Sequence, residues 1–191
     1  MGLVSVLSFA HQLVKQHVCP GDTVIDATVG NGVDTLFLAE LTGKNGTVYG
    51  FDIQERALRQ TAARLLPKKD NIARVHLLHR SHAEMLDAIP SAEHGRIAAV
   101  MFNLGYLPHA DETVITRPES TIPALEASVM LLKKTGVITV VLYPGHAGGQ
   151  EECETVCRWA EHLDEKNFHV LCYRFINRKN RPPFLLAIAK K

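Results

Sequence analysis

Apolar residues recur along this chain in two alternating rhythms. Leu3, Val6, Leu7, Ala10, Leu13 and Val14 fall at helical spacing and predict an amphipathic helix over residues 3 to 17. Pro20-Gly21-Asp22 stops it, and the compact apolar run from Thr23 to Ala27 predicts a buried strand. Leu36, Phe37, Ala39 and Leu41 then continue a helix to Thr42, before Gly43 and Gly46 bracket a loop. The same alternation predicts strands at Thr47 to Asp52, Arg74 to His79, Ile97 to Phe102 and Val137 to Tyr143. Helices are predicted from Gln54 to Leu66, from about Ile122 to Lys134 and from Gln150 to Leu163. Two strand-like runs, His169 to Ile176 and Phe184 to Ala189, predict a terminal antiparallel hairpin. Strands alternating with helices predict an α/β fold with a mostly parallel sheet. Residues 107 to 120 form a long irregular stretch, of the kind that serves as a lid in compact domains.

Composition narrows this modestly. With 191 residues and 46% hydrophobic content, the chain suffices for one good core, so one domain over residues 1 to 191 is expected. No apolar run approaches the roughly 20 residues of a membrane span. The N-terminus turns polar at His11-Gln12 and lacks a signal-peptide pattern, so a cytoplasmic protein without a membrane partner is expected. The four cysteines, 19, 153, 157 and 172, do not outline a disulfide framework. Cys153 and Cys157 share the apolar face of a predicted helix with Val156, Ala160 and Leu163, which points to core packing, and no metal is expected.

Net charge is +1, but it is unevenly spread. Residues 166 to 191 hold seven of the 21 Lys and Arg and none of the 20 Asp and Glu, leaving 14 basic against 20 acidic residues in the rest. A basic terminal hairpin on an acidic body suits a phosphate-rich partner, with Arg178, Lys179 and Arg181 as the candidate contacts. Lysines protecting a sheet edge would read the same way.

The first strand runs into Val29-Gly30-Asn31-Gly32, and a helix begins at about Gly32. A glycine turn between strand and helix lets a ligand lie against bare peptide, near the free N–H groups of the helix start. Dinucleotides and S-adenosylmethionine both fit such a turn. Asp26 and Asp34 flank it and would repel a pyrophosphate, whereas an ammonium and a sulfonium would be attracted. Thr35 also stands where a dinucleotide fingerprint wants its third glycine. Together these residues favour S-adenosylmethionine, although a turn that binds nothing has the same glycines.

Asp52 ends the second strand, where a carboxylate accepts ribose hydroxyls or caps the next helix. Ser81 and Glu84 have capping-box spacing, and Ser81 or His82 is placed to touch an adenine. The fourth strand ends in Asn103-Leu104-Gly105-Tyr106-Leu107-Pro108. An amide and a carbonyl there could hold an amine with its lone pair toward a methyl donor, while an aromatic ring stacks on a base. Tyr143 and His146 fall on the same edge of the sheet. His146 reads as a proton acceptor or as a plain loop residue.

The alternation and terminal hairpin resemble the class I S-adenosylmethionine-dependent methyltransferase fold over nearly the whole chain. That resemblance implies a seven-stranded Rossmann-like sheet in the order 3-2-1-4-5-7-6, strand 7 antiparallel, with helices on both faces. The family's first motif is acidic-x-Gly-x-Gly-x-Gly; here Thr28 replaces the first glycine. Asp-Ala-Thr-x-Gly-Asn-Gly-x-Asp-Thr together with Phe-Asn-Leu-Gly-Tyr-Leu-Pro is similar to the YtqB group, long labelled rRNA methylases, which includes MnmM-type tRNA methyltransferases. Those convert 5-aminomethyl-2-thiouridine at the tRNA wobble position to its methylaminomethyl form. The resemblance implies cofactor contacts at Asp26, Asn31, Gly32 and Asp34, a ribose contact at Asp52 with Gln54 nearby, and adenine contacts at Ser81 and His82. Thr28, Gly30 and Thr35 complete the candidate cofactor set at the turn, and Asn103 joins it from the fourth strand. Residues 103 to 106 also resemble the Asn-Pro-Pro-Tyr motif of amino-methyltransferases, with Leu104 and Gly105 in place of the prolines, so those prolines' rigidity is not supplied here.

The expected reaction is therefore methylation of an RNA amine, with Asn103, Tyr106 and His146 as catalytic candidates. Tyr106 or Tyr143 would face the base, and His109 or His146 would take the proton. The expected partner is tRNA, held through its anticodon stem-loop; a homodimer is left open. rRNA methylation, methylation of a small-molecule amine and nucleoside binding without chemistry are the alternatives. A nicotinamide-dependent oxidoreductase is disfavoured by Asp26 and Thr35.

Overall fold

The computed structural model of the protein describes residues 2–105, 115–145 and 148–191. Its strands are β1 (Thr23–Asp26), β2 (Thr47–Asp52), β3 (Arg74–His79), β4 (Ile97–Asn103), β5 (Leu132–Leu142), β6 (Phe168–Tyr173) and β7 (Phe184–Lys190). They form one sheet in the order β3-β2-β1-β4-β5-β7-β6. The first five are parallel, and β7 runs antiparallel to both β5 and β6. This is the expected order and orientation.

Neighbouring residues on each strand face opposite layers, so the sheet feeds two cores. Helices α1 (Val6–His17), α2 (Val33–Thr42) and α3 (Glu55–Leu65) cover one face. There Val14, Leu38 and Leu65 pack with Val24, Val48, Met101 and Leu185. The short α4 (Met85–Ala88), with α5 (Pro118–Leu131) and α6 (Gly149–Glu161), covers the other. On that side Met85, Leu125 and Val156 pack with Ile25, Phe51, Phe102 and Ile138. Cys153 lies in this second core, as its spacing predicts.

Several boundaries differ from expectation. The last helix before β5 starts at Pro118 rather than near Ile122, and ends at Leu131 rather than Lys134. Pro118 occupies the first helical turn, where a missing N–H costs nothing, so residues 118–120 belong to α5 and not to the loop. Strand β5 accordingly begins at Leu132. Its register against β4 shifts between Ile97 and Ala99, and Thr135 there takes φ +65°. Strand β6 ends at Tyr173, short of Ile176.

Chain order reverses between β1 and β4, which are bonded to each other in the middle of the sheet. The connections leaving the carboxyl ends of these strands diverge and open a crevice between them. The pairing of Leu142 with Phe184 and of Tyr173 with Leu185 brings the 174–183 connection to that same edge.

Candidate active site

A cavity of about 420 Å³ fills this crevice. Its walls are residues 27–31 after β1, 51–54 after β2, 80–82 after β3, 103–105 after β4 and Tyr143 after β5. Leu7 of α1, Val33 and Asp34 of α2, and Ile115, Thr116 and Ser120 close the remaining sides.

The turn after β1 is held from behind. Gly30 and Gly32 take φ +50° and +72°, which a glycine adopts without strain. A Cβ on Gly32 would lie 2.4 Å from the Thr61 hydroxyl, so the bareness of Gly32 serves packing on α3 rather than ligand approach. Thr61 Oγ1 donates to the Gly30 carbonyl at 3.2 Å, and Arg64 Nε donates to the Asn31 carbonyl at 2.7 Å. Asp26 is buried behind the wall, where Oδ2 accepts the Thr35 hydroxyl at 2.5 Å and Oδ1 accepts the Thr28 N–H at 3.1 Å. Burial, then the nearby Asp34 carboxylate, pushes the Asp26 carboxyl up to about 7; its hydrogen bonds pull the other way. Asp26, Gly32 and Thr35 therefore brace the turn and do not line the cavity, whereas Thr28, Gly30, Asn31 and Asp34 do.

Asp52 ties the turn to β2. Its Oδ2 accepts the Gly30 N–H at 2.9 Å and its Oδ1 accepts the Gln54 N–H at 2.8 Å, just before α3. An ionised carboxylate has about four acceptor sites, so lone pairs remain for a ligand in the cavity it lines. Asp34 makes a contact that the sequence did not suggest: its Oδ1 lies 2.6 Å from His11 Nε2, with the His11 ring stacked on Phe37 at 3.9 Å. Helix α1 thus orients an acidic residue of the cavity. The polar break at His11 in an otherwise apolar stripe was the one available signal.

Ser81 and Glu84 form the expected capping box, with the Ser81 hydroxyl accepting the Ala83 N–H and Glu84 accepting the Ser81 N–H, both at 3.2 Å. The box opens a 3₁₀ turn, His82–Glu84, that leads into α4. His82 is buried and lines the cavity. Its Nδ1 lies 3.1 Å from the Ala27 carbonyl, which only accepts, so Nδ1 carries the proton. Burial lowers the His82 pKa and keeps the ring neutral. Nε2 is then a buried acceptor with no protein partner among the described residues.

On the opposite wall, the Asn103 N–H donates to the Thr28 hydroxyl at 2.7 Å, linking the ends of β1 and β4. Tyr143 lines the same cavity as Asn103, and its phenol is pushed up by burial first and by the Asp34 charge second, with Asn103 pulling the other way. Leu104 N–H donates to the Val141 carbonyl at 2.9 Å. Tyr106, His109 and His146 lie outside the described residues. Arg178 sits over the Phe175 ring at 5.0 Å, and Arg181 Nη1 donates to Gln150 Oε1 at 2.5 Å. Both belong to the 174–183 connection, at the cavity's edge of the sheet. No helix among the described residues is long and apolar enough to cross a membrane.

This arrangement has known counterparts. The family model described as putative rRNA methylase matches residues 48–189. The chain is 37% identical, over 95% of its length and 68% of the relative's, to the chloroplastic tRNA (mnm(5)s(2)U34)-methyltransferase of Arabidopsis thaliana. Among solved structures, a putative rRNA methylase from Clostridium thermocellum is 44% identical with a TM-score of 0.93, covering 100% of both chains. A putative methyltransferase from Streptococcus mutans, solved with SAH, is 34% identical with a TM-score of 0.88, again over 100% of both chains.

Proposed function

Because this chain belongs to the family described as putative rRNA methylases, we propose that its cavity carries a methyl group from S-adenosylmethionine to the primary amine of 5-aminomethyl-(2-thio)uridine at the tRNA wobble position. The protein is a methyltransferase; the identity of the accepting nucleotide is the added step. The relative from Arabidopsis thaliana bears the name of that reaction. The reading places the work in the cytoplasm, on a single catalytic domain.

The residues fit the donor. When bound, S-adenosylmethionine supplies a methyl group on a positively charged sulfur. Asp34 at the cavity wall, with Asp52 beside it, favours that charge and the amino-acid ammonium. Asp52 retains lone pairs for the ribose hydroxyls, and the unpartnered His82 Nε2 accepts an adenine amino hydrogen. A volume of about 420 Å³ lies within the range of small-molecule sites.

The acceptor amine must arrive neutral, because only its lone pair is nucleophilic and a lysine-like amine has a pKa of about 10.4. Asn103 accepts N–H hydrogens and turns that lone pair toward the methyl. The methyl–sulfur bond breaks as the new nitrogen–methyl bond forms, and the surplus ammonium proton then leaves. Tyr143 does not take it: with its phenol pushed up, the hydroxyl stays protonated at neutral pH and steers Asn103. His109 and His146 are the proposed acceptors. Catalysis is then chiefly positioning, an effect worth up to roughly 7–11 kcal/mol. Arg178, Lys179 and Arg181, at the same sheet edge, hold stem-loop phosphates.

The observation that carries this reading is the Asn103 turn joined to an acidic glycine turn beside it, both lining one cavity. It is tested by incubating the protein and S-adenosylmethionine with tRNA bearing 5-aminomethyl-2-thiouridine, then digesting to nucleosides for mass spectrometry. Conversion to the methylaminomethyl nucleoside is expected. Labelling of rRNA or of a free amine, with that tRNA unchanged, would move the activity to another substrate.

A further inference from the structure

Glu152 is 2% exposed, on the first turn of α6, and has no part in the chemistry above. Its carboxylate is shared between two threonines. Thr121 Oγ1 of α5 donates to Oε1 at 2.7 Å, and Thr116 Oγ1 donates to Oε2 at 2.7 Å. Burying a carboxylate is costly, and a tie between two helices needs no charge. The Thr116 bond shows what the charge does. A carboxylate only accepts, so the single Thr116 hydroxyl hydrogen points to Glu152, and the oxygen is left to accept. It accepts the Gly105 N–H at 3.0 Å, and the Thr116 N–H returns to the Gly105 carbonyl at 3.1 Å. Gly105 sits at φ +151°, two residues after Asn103. It stands where the resembling motif of amino-methyltransferases has proline.

We propose that Glu152 is a positioning residue: through the Thr116 hydroxyl it fixes the Asn103-Leu104-Gly105 turn, supplying by hydrogen bonds the rigidity that two prolines supply elsewhere. The same clasp joins Gly105 to Thr116 across the ends of the 106–114 segment, so one buried charge sets both the amine-binding turn and the exit of the segment beside it. This rests on the assignment of Asn103 as the amine's partner. Thr121 shares the carboxylate but not the path to Gly105, which makes it the internal control.

The test compares Thr116→Val, Thr116→Ser, Glu152→Met and Thr121→Val. Thr116→Val is expected to lower kcat by about 10- to 100-fold, the scale of a misplacement near 1 Å, with donor affinity by calorimetry held within about twofold. Gly105 amide hydrogen exchange should accelerate by at least about tenfold, while that of Leu104, bonded to Val141, stays slow. Thr116→Ser should restore both readings. Glu152→Met, which leaves no acceptor, should follow Thr116→Val in direction, and Thr121→Val should lower only the denaturation midpoint. Wild-type exchange at Gly105 together with wild-type kcat in Thr116→Val would overturn the proposal, as would Glu152→Met behaving like Thr121→Val. If Glu152→Met fails to fold, the Val and Ser variants at position 116 decide alone. Should Asn103→Ala keep full turnover, the assignment of Asn103 fails, and Gly105 exchange still decides whether Glu152 fixes the turn.

Discussion

The hydroxyl of Thr28 accepts the backbone N–H of Asn103 at 2.7 Å, joining two strand ends that lie 75 residues apart in the chain. Thr28 is the residue that breaks the first-motif pattern of class I methyltransferases, and its side chain explains the departure. A glycine there would leave the Asn103 N–H unpaired at the cavity wall.

Thr28→Val should therefore unpair that N–H while keeping side-chain volume. Losing the partner of a partly buried donor costs about 1–3 kcal/mol. The loss should appear mainly in kcat, because Asn103 is the proposed partner of the acceptor amine, with donor affinity little changed; Thr28→Ser should behave like wild type. Steady-state kinetics alongside calorimetry checks this. A valine variant that loses donor binding and keeps kcat would show that Thr28 serves the donor directly.

Asp26 makes stability depend on pH in a defined direction. Its carboxyl is raised from 3.8 in the unfolded chain to about 7 in the fold. Below pH 3.8 both states hold the proton and the contribution is complete. Between these values the unfolded chain ionises while the fold does not, so stability falls as pH rises, and above pH 7 the loss is finished. At about 1.36 kcal/mol per unit, the ceiling is on the order of 4 kcal/mol. Asp26→Asn mimics the protonated form, so its stability relative to wild type should climb from pH 4 to pH 7 and then level off. Urea denaturation across that range measures it; parallel curves for the two proteins would refute the raised pKa.

The strands were legible in the sequence because each is a short apolar run between turn residues, and β2 and β3 lie where the pattern puts them. Helix α5 was less so, since Pro118 read as loop although it opens the helix. At the site, the glycine turn and Asn103 announced themselves through local motifs. The supports did not. His11 reaches Asp34 from 23 residues away and Glu152 reaches Thr116 from 36, and such pairings leave no periodic trace. The same limit hid Asp26 and Thr35 as braces: residue type marked them as ligands, and only burial turned them inward.

Asp52 braces the glycine turn, and its proposed contact with the donor ribose is tested by substitution. Asp52→Ala leaves the Gly30 and Gln54 N–H groups without their acceptor. Each costs about 1 kcal/mol or more where it stays dry. Donor affinity should fall by at least about tenfold, the equivalent of one hydrogen bond to a charged group, and the urea midpoint should fall as well. Asp52→Asn keeps one acceptor oxygen and should be intermediate in both. Calorimetry showing unaltered donor affinity in Asp52→Ala would remove the ribose role and leave only the brace.

The 174–183 connection makes a prediction about salt. If Arg178, Lys179 and Arg181 contact stem-loop phosphates, each released counterion steepens the fall of affinity with salt, by about 0.7 to 0.9 in logarithmic slope per phosphate. Their contributions should differ. Arg181 already donates to Gln150, and its backbone takes φ +44°, so it has part of its bonding capacity committed. Arg178 lies over Phe175, which fixes its plane without consuming its N–H donors. Replacing all three with Ala should flatten the slope by roughly 2, with Arg178→Ala and Lys179→Ala accounting for most of it. Donor affinity should not move, because none of the three lines the cavity. Filter binding of tRNA over a salt series measures the slope; an unchanged value in the triple variant would carry the RNA path to another part of the surface, with Arg80, on the cavity's β3 side, the first residue to replace next.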